Sequence, residues 1–198
     1  MIILKLTGEH YIFYKQKRIG HYGKEFNLFK FATMLKDSPN LPGGLFTIEN
    51  DPRILPMGKF LRKTKINELP QLINIFIGQM SIVGYRPLVQ QGYEKYSGDI
   101  KQKLYNLKPG LSGIGSIVLC NEEEIMQKID DKEDFYKNVI MPYKGELENW
   151  FVNNSSLGTY FKMILVTVIV VLKPSSNIWK KTFRNLPTVP QELEAYMT

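Results

Sequence analysis

The chain has 198 residues, 43% of them hydrophobic and 12% aromatic, enough to bury one core, and a single domain over 1–198 is expected. One cysteine, Cys120, excludes an internal disulfide framework; two histidines, His10 and His21, lack partners at ligand spacing and exclude a histidine-based metal cage. The net charge of +7 lies wholly in residues 1–65, which hold 12 Lys/Arg against 5 Asp/Glu. This third of the chain therefore attracts anions: nucleic acid, phosphorylated small molecules or an anionic membrane face.

The opening "MIILKLTGEHYIFYKQKR" shows no secretory signal, since charge begins after only a scrap of apolar sequence. Residues 10–31 alternate aromatic and basic residues on both sides of Gly20–Gly23, the pattern of a β-hairpin. Such interleaving also suits nucleic acid. It is equally the pattern of an ordinary half-buried hairpin, and no nucleic-acid partner is expected. Residues 36–58, rich in Pro, Gly, Asn and Asp, read as a long loop of the functional kind. A helix is predicted from Asn67 to about Ile77, stopped by Gly78.

Beyond it come a turn, a short strand over 114–119, and helices over 122–154 and 157–172. The acidic residues Glu122–Glu124, Asp130, Asp131 and Asp134 read as a solvated face. Within the last helix, "MILVTVIVVL" is ten residues long and would cover about 15 Å, roughly half a bilayer core. It is too short to span. It is either a buried element or an interfacial helix anchored by Lys162, Lys173, Trp179, Lys180 and Lys181.

The chemistry concentrates in Arg62–Pro87, "RKTKINELPQLINIFIGQMSIVGYRP". Asn67 is a good helix N-cap, and Glu68 in the first turn complements the helix dipole. Capping alone leaves Arg62, Lys63 and Lys65 upstream and the Gly84–Pro87 turn downstream unexplained. Three cations, a carboxylate and a turn-borne arginine suit a metal-bound diphosphate.

"GKFLRKTKINELPQLINIFIGQMSIVGYRPL" resembles the core signature of the bacterial sugar transferases, the monotopic polyprenyl-phosphate phosphoglycosyl transferases. "FYKQKRIGHYGKEFNLFKFATM", "NDPRILPMGKFLRKT" and "KPGLSGIGSI" match further family motifs in order, covering about residues 6–172. The resemblance implies transfer of a sugar-1-phosphate from a nucleotide diphosphate sugar (a UDP-sugar by default) to a polyprenyl phosphate, undecaprenyl phosphate by default. It also implies Mg²⁺, a place on the cytoplasmic face of the bacterial inner membrane, and a product that starts lipid-linked surface glycan synthesis. Carried onto this chain, Asn67 and Glu68 occupy the catalytic Asp-Glu dyad, with Glu68 as metal carboxylate. Lys30, Arg62 and Arg86 become the phosphate clamp, and Glu148 is a weaker acidic candidate. The expected architecture is α/β (α+β), a small, mainly antiparallel sheet packed with several helices, one apolar helix near the membrane face.

Four departures stand out. Asn67 replaces the nucleophilic Asp, and an amide cannot form an acyl phosphate as it stands. Ala32 replaces an Arg, Tyr85 replaces a Pro of the arginine-bearing turn, and the family's membrane hairpin would precede Leu4–Arg18. Without that hairpin, attachment is expected to rest on basic charge and residues 160–183. Three explanations of Asn67 are open: an enzyme branch that tolerates Asn-Glu, a binding or scaffold protein that recognises nucleotide-sugar without turnover, or deliberate replacement of the nucleophile.

Overall fold

The computed structural model describes residues 4, 9–41, 47 and 51–197. The alternating N-terminal segment forms the expected hairpin, Phe13–Ile19 (β1) against Glu25–Phe31 (β2), antiparallel with Tyr14 opposite Lys30 and Arg18 opposite Phe26. Residues directly opposite share a face, so Tyr14, Gln16 and Arg18 lie on the side that carries Lys30 and the buried Leu28. Of the expected loop over 36–58, the described parts form a 3₁₀ turn at Ser38–Asn40 and a bridge from Met34 to Ile54; residues 42–46 and 48–50 lie outside the described residues.

The single helix expected from Asn67 is broken into pieces. Helix α1 (Gly58–Lys63) ends at Lys65, whose φ of +57° is left-handed, and a 3₁₀ turn follows at Ile66–Glu68. Only then does α2 (Gln71–Phe76) begin, closing on Gly78 at φ +80°. Pro70 has no N–H to give Ile66, so the turn is closed by shorter bonds, Glu68 N–H to Lys65 O and Leu69 N–H to Ile66 O. Asn67 therefore sits inside a turn and caps nothing. Asn74 of α2 ties this corner to the hairpin: it accepts from Phe29 N–H at 3.0 Å and donates to Asn27 O at 2.8 Å.

A second sheet also departs from expectation. Ser81–Val83 (β3) pairs in parallel with Gly110–Ser112 (β4), so among the described residues one sheet is antiparallel and another parallel. Residues 114–118, expected as a strand, form helix α5 (Ile114–Val118). Ile114, Ile117 and Val118 are all buried, and a fully buried apolar run carries no periodicity that separates helix from strand. The strand falls just before it because the two backbones meet there: a Cβ on Gly110 would lie 2.1 Å from Gly84 N.

Helices α3 (Gln90–Glu94), α4 (Gly98–Tyr105), α6 (Glu122–Gln127) and α7 (Lys132–Phe135) follow, and α7 runs through a π-helical turn, Tyr136–Ile140, into α8 (Met141–Asn153). Ser156 caps α9 (Leu157–Leu172) by accepting from Thr159 N–H at 3.1 Å. The main core joins α5, α6, α8 and one face of α9 (Met163, Val166, Val170) to Trp179 of α10 (Ile178–Thr182), Phe183, and Leu193 of α11 (Gln191–Glu194). Each such side chain contributes about 1.5–3 kcal/mol by leaving water. Trp179 is thus a core residue and not an interfacial anchor. The mixed α/β class matches expectation, and among the described residues no helix is long and apolar enough to cross a membrane.

Candidate active site

A cavity of ≈380 Å³ opens between the inner face of the hairpin, the 62–68 corner and the Arg86 turn. Lys30, Arg62, Asn67, Glu68 and Arg86, all chosen from sequence, line it. Glu148 does not. The hairpin delivers Lys30, the 3₁₀ turn delivers Asn67 and Glu68, and the β3 strand leads into the turn that carries Arg86.

Glu68 is the organising anion. Its Oε1 accepts from Lys30 Nζ at 2.8 Å, and its Oε2 accepts from Gln71 Nε2. Burial pushes this carboxyl up, but Lys30, Arg86 and Lys65 outweigh it and hold it at about 2. Lys30 is pushed down by burial and by Arg86 and Arg18, with Glu68 opposing. Lys30, expected from sequence in the phosphate clamp, lines the cavity and is paired there with Glu68, both side chains largely buried. Asn67 Nδ2 lies 3.5 Å from Glu68 Oε1, while Asn67 Oδ1 is buried with no partner among the described residues.

The arginines surround this pair. Arg62 donates to Thr47 Oγ1 at 2.7 Å and Glu123 Oε1 at 2.6 Å. Arg86 reaches Ser116 Oγ at 3.3 Å. The acidic stretch is consequently not simply a solvated face, since Glu123 pairs with Arg62 and Glu122 accepts from Lys144 at 2.7 Å. Tyr85, in the position of the expected Pro, is buried against Leu88, Tyr96, Leu104 and Met141 and anchors the turn, leaving Arg86 at the cavity. Ala32 is fully buried. Glu148 is buried as well (1% exposed), so it is not the exposed helical glutamate that would look the same in sequence.

Sequence reasoning missed Arg18. It donates to Pro87 O at 3.1 Å, keeps a buried Nε without a partner among the described residues, and is pushed down to about 10 by burial and then by Arg86. The signal was present in the two-residue period of β1, which puts Arg18 on the face of Lys30. Two guanidinium groups brought together in one cavity call for an anion between them.

Among the described residues, no group of three or more His, Cys, Asp or Glu side chains gathers to hold a metal. A hard dication such as Mg²⁺ needs fewer protein ligands, because it takes oxygen donors and shares itself with substrate phosphates. Glu68 and the orphaned Asn67 Oδ1 are donors of that type, and they fit.

The cavity thus gathers Arg18, Lys30, Arg62 and Arg86 with the carboxylates of Glu68 and Glu123 and, among the described residues, an Asn67 oxygen without a partner. The chain belongs to the bacterial sugar transferase family, whose model matches residues 1–174. It is 36% identical over 169 residues to galactosyl transferase CpsE of Streptococcus agalactiae serotype III, covering 80% of this chain and 34% of that protein. It is 30% identical over 174 residues to the undecaprenyl-phosphate galactose phosphotransferase of Salmonella typhimurium, 81% of this chain and 33% of that one. It is 32% identical over 164 residues to the UDP-glucose:undecaprenyl-phosphate glucose-1-phosphate transferase of Escherichia coli, 81% of this chain and 34% of that one. The chain thus spans about a third of the length of each.

Proposed function

We propose that this chain transfers a sugar-1-phosphate from a UDP-sugar to undecaprenyl phosphate on the cytoplasmic face of the bacterial inner membrane, starting a lipid-linked glycan. The observation that carries this reading is the cavity that Arg18, Lys30, Arg62 and Arg86 line together with Glu68 and with Asn67, whose Oδ1 has no partner among the described residues. The reading of donor and acceptor is supported by the Salmonella and Escherichia relatives, whose names carry undecaprenyl phosphate and, for the latter, UDP-glucose.

In this reading Arg18 and Arg86 grip the donor diphosphate, because planar guanidinium groups match phosphate oxygens. Glu68 orders Lys30 and keeps the cations from driving one another apart. A Mg²⁺ ion held by Glu68 and Asn67 Oδ1 would neutralise diphosphate charge. With Asn67 an amide, and with Glu68 assigned to Lys30 and to the metal, the attacking oxygen in this reading is the acceptor's own phosphate. It forms a bond to the sugar-bearing phosphorus, the bond to the bridging oxygen breaks, and UMP leaves with that electron pair. Arg62 and Arg86 disperse the charge that develops.

A membrane surface fits the apolar exposure. Leu72, Ile73 and Phe76 on α2, Ile77 just after it, Ile82 on β3, and Phe161, Leu165, Val168 and Leu172 on α9 face outward, Phe76 at 92% exposure. Helix α9 packs against β3, the strand that follows α2, so these faces belong to neighbouring elements.

A second reading, nucleotide-sugar binding without turnover, is favoured by Asn67 itself. The test is UMP release from UDP-glucose and UDP-galactose with undecaprenyl phosphate, for wild type, Asn67→Asp and Glu68→Gln. Turnover in wild type that disappears in Glu68→Gln supports the transferase. Turnover that appears only in Asn67→Asp supports binding alone.

A further inference from the structure

Among the described residues, three buried side-chain polar atoms lack partners: Arg18 Nε, Asn67 Oδ1 and Glu148 Oε2. The first two residues line the cavity; Glu148 does not, and the transfer chemistry leaves it unused. Glu148 lies on α8 behind the turn that carries Arg86. Its Oε1 accepts from the Arg86 backbone N–H at 3.3 Å, while Ser116 holds the other end of Arg86 by its guanidinium, also at 3.3 Å. The α5 backbone packs directly against the carboxyl: a Cβ on Gly115 would stand 3.4 Å from Glu148 Oε1, in ordinary contact.

Among the described residues, little around this carboxyl could neutralise a charge; the charged groups that face it are Arg86 and Lys144. Lys144 is committed to Glu122 at 2.7 Å and lies over the Tyr136 ring. From the remaining packed elements come the phenols of Tyr85 and Tyr96, themselves pushed up by burial. Burial pushes the Glu148 carboxyl up to about 8, against the pull of the Arg86 N–H, Lys144 and the Arg86 charge. It carries its proton at neutral pH. Once ionised, it would be a bare carboxylate behind the Arg86 peptide, drawing the guanidinium inward in competition with a ligand phosphate.

We propose that Glu148 is a protonation-dependent positioning residue for Arg86, presenting the guanidinium to the cavity while protonated and weakening diphosphate binding once the proton is lost. The binding half of this inference rests on the donor reading of the cavity; the coupling of Glu148 to Arg86 does not.

The experiment has two measurements. Calorimetric titration with uridine diphosphate between pH 7 and 9 compares wild type with Glu148→Gln, whose amide oxygen accepts the same N–H but cannot ionise. Wild-type affinity should fall by up to a factor of ~10 per pH unit above the midpoint, while Glu148→Gln matches wild type at pH 7 and follows no such fall. Parallel profiles would overturn the proposal. Independently of any ligand, the Arg86 backbone amide signal in wild type should titrate with a midpoint near 8 by NMR and lose that titration in Glu148→Gln. An Arg86 signal in wild type that does not titrate overturns the proposal, whether or not the glutamine variant folds. If uridine diphosphate fails to bind at any pH while Arg86 titrates, the donor reading falls and the Glu148–Arg86 coupling stands.

Discussion

Replacing Glu68 by Gln keeps the shape of the side chain and removes the anion that faces Lys30, Arg86 and Lys65. The carboxyl is held at about 2 in the folded protein against an ordinary 4.5. Its folded value is depressed, so the unfolded chain binds more protons between these limits and stability rises with pH across them. The contribution is complete above pH 4.5 and lost as pH falls through 2. Its full size is roughly 3 kcal/mol at pH 7, and about half remains at pH 3. Glu68→Gln should therefore lose roughly 3 kcal/mol in urea unfolding at pH 7, about 6–12 °C in Tm for a chain of this length. The gap to wild type should halve at pH 3. Equal stability at pH 7 would refute the electrostatic account. So would a gap that is the same at both pH values, since lost packing does not titrate.

Glu148 makes the opposite contribution: its raised carboxyl adds stability that is full below 4.5 and lost as pH rises through about 8, so Glu148→Gln should flatten the alkaline limb of stability measured by urea unfolding. Arg86→Ala should weaken uridine diphosphate binding in calorimetry, with Arg86→Lys rescuing it only partly because lysine lacks the fork; unchanged affinity in the alanine variant would remove Arg86 from the site. Binding to anionic vesicles should weaken as salt rises, and Phe76→Ser with Leu165→Ser should abolish the salt-resistant remainder in a sedimentation assay. Gly110→Ala, which places a Cβ 2.1 Å from Gly84 N, should destabilise by about 3 kcal/mol or more and lower Tm accordingly.

Local pattern determined much of this protein. The two-residue alternation of 13–31 sets the hairpin and the apolar run of 157–172 sets α9, because each is a local repeat of side chains, whereas Lys30, Arg62, Glu68 and Arg86 are picked out by resemblance to the family's motifs. Tertiary structure decided the rest. The run at 114–118 is helix because it is buried on all sides, and the strand moved to 110–112 because two glycine backbones can touch there. Trp179 turned inward because the α8–α9 core had an apolar face to fill. Arg18 entered the cavity from a strand whose opposite neighbour is Phe26, and Asn74 took the role of a strand edge to seat Glu68 beside Lys30. Above all, the protonation of Glu68 and Glu148 diverged, one held at about 2 and the other pushed up to about 8. The two residues are chemically identical in the sequence. Only the fold surrounds one with cations and leaves the other in a nearly apolar interior, where an ionised carboxylate is poorly solvated.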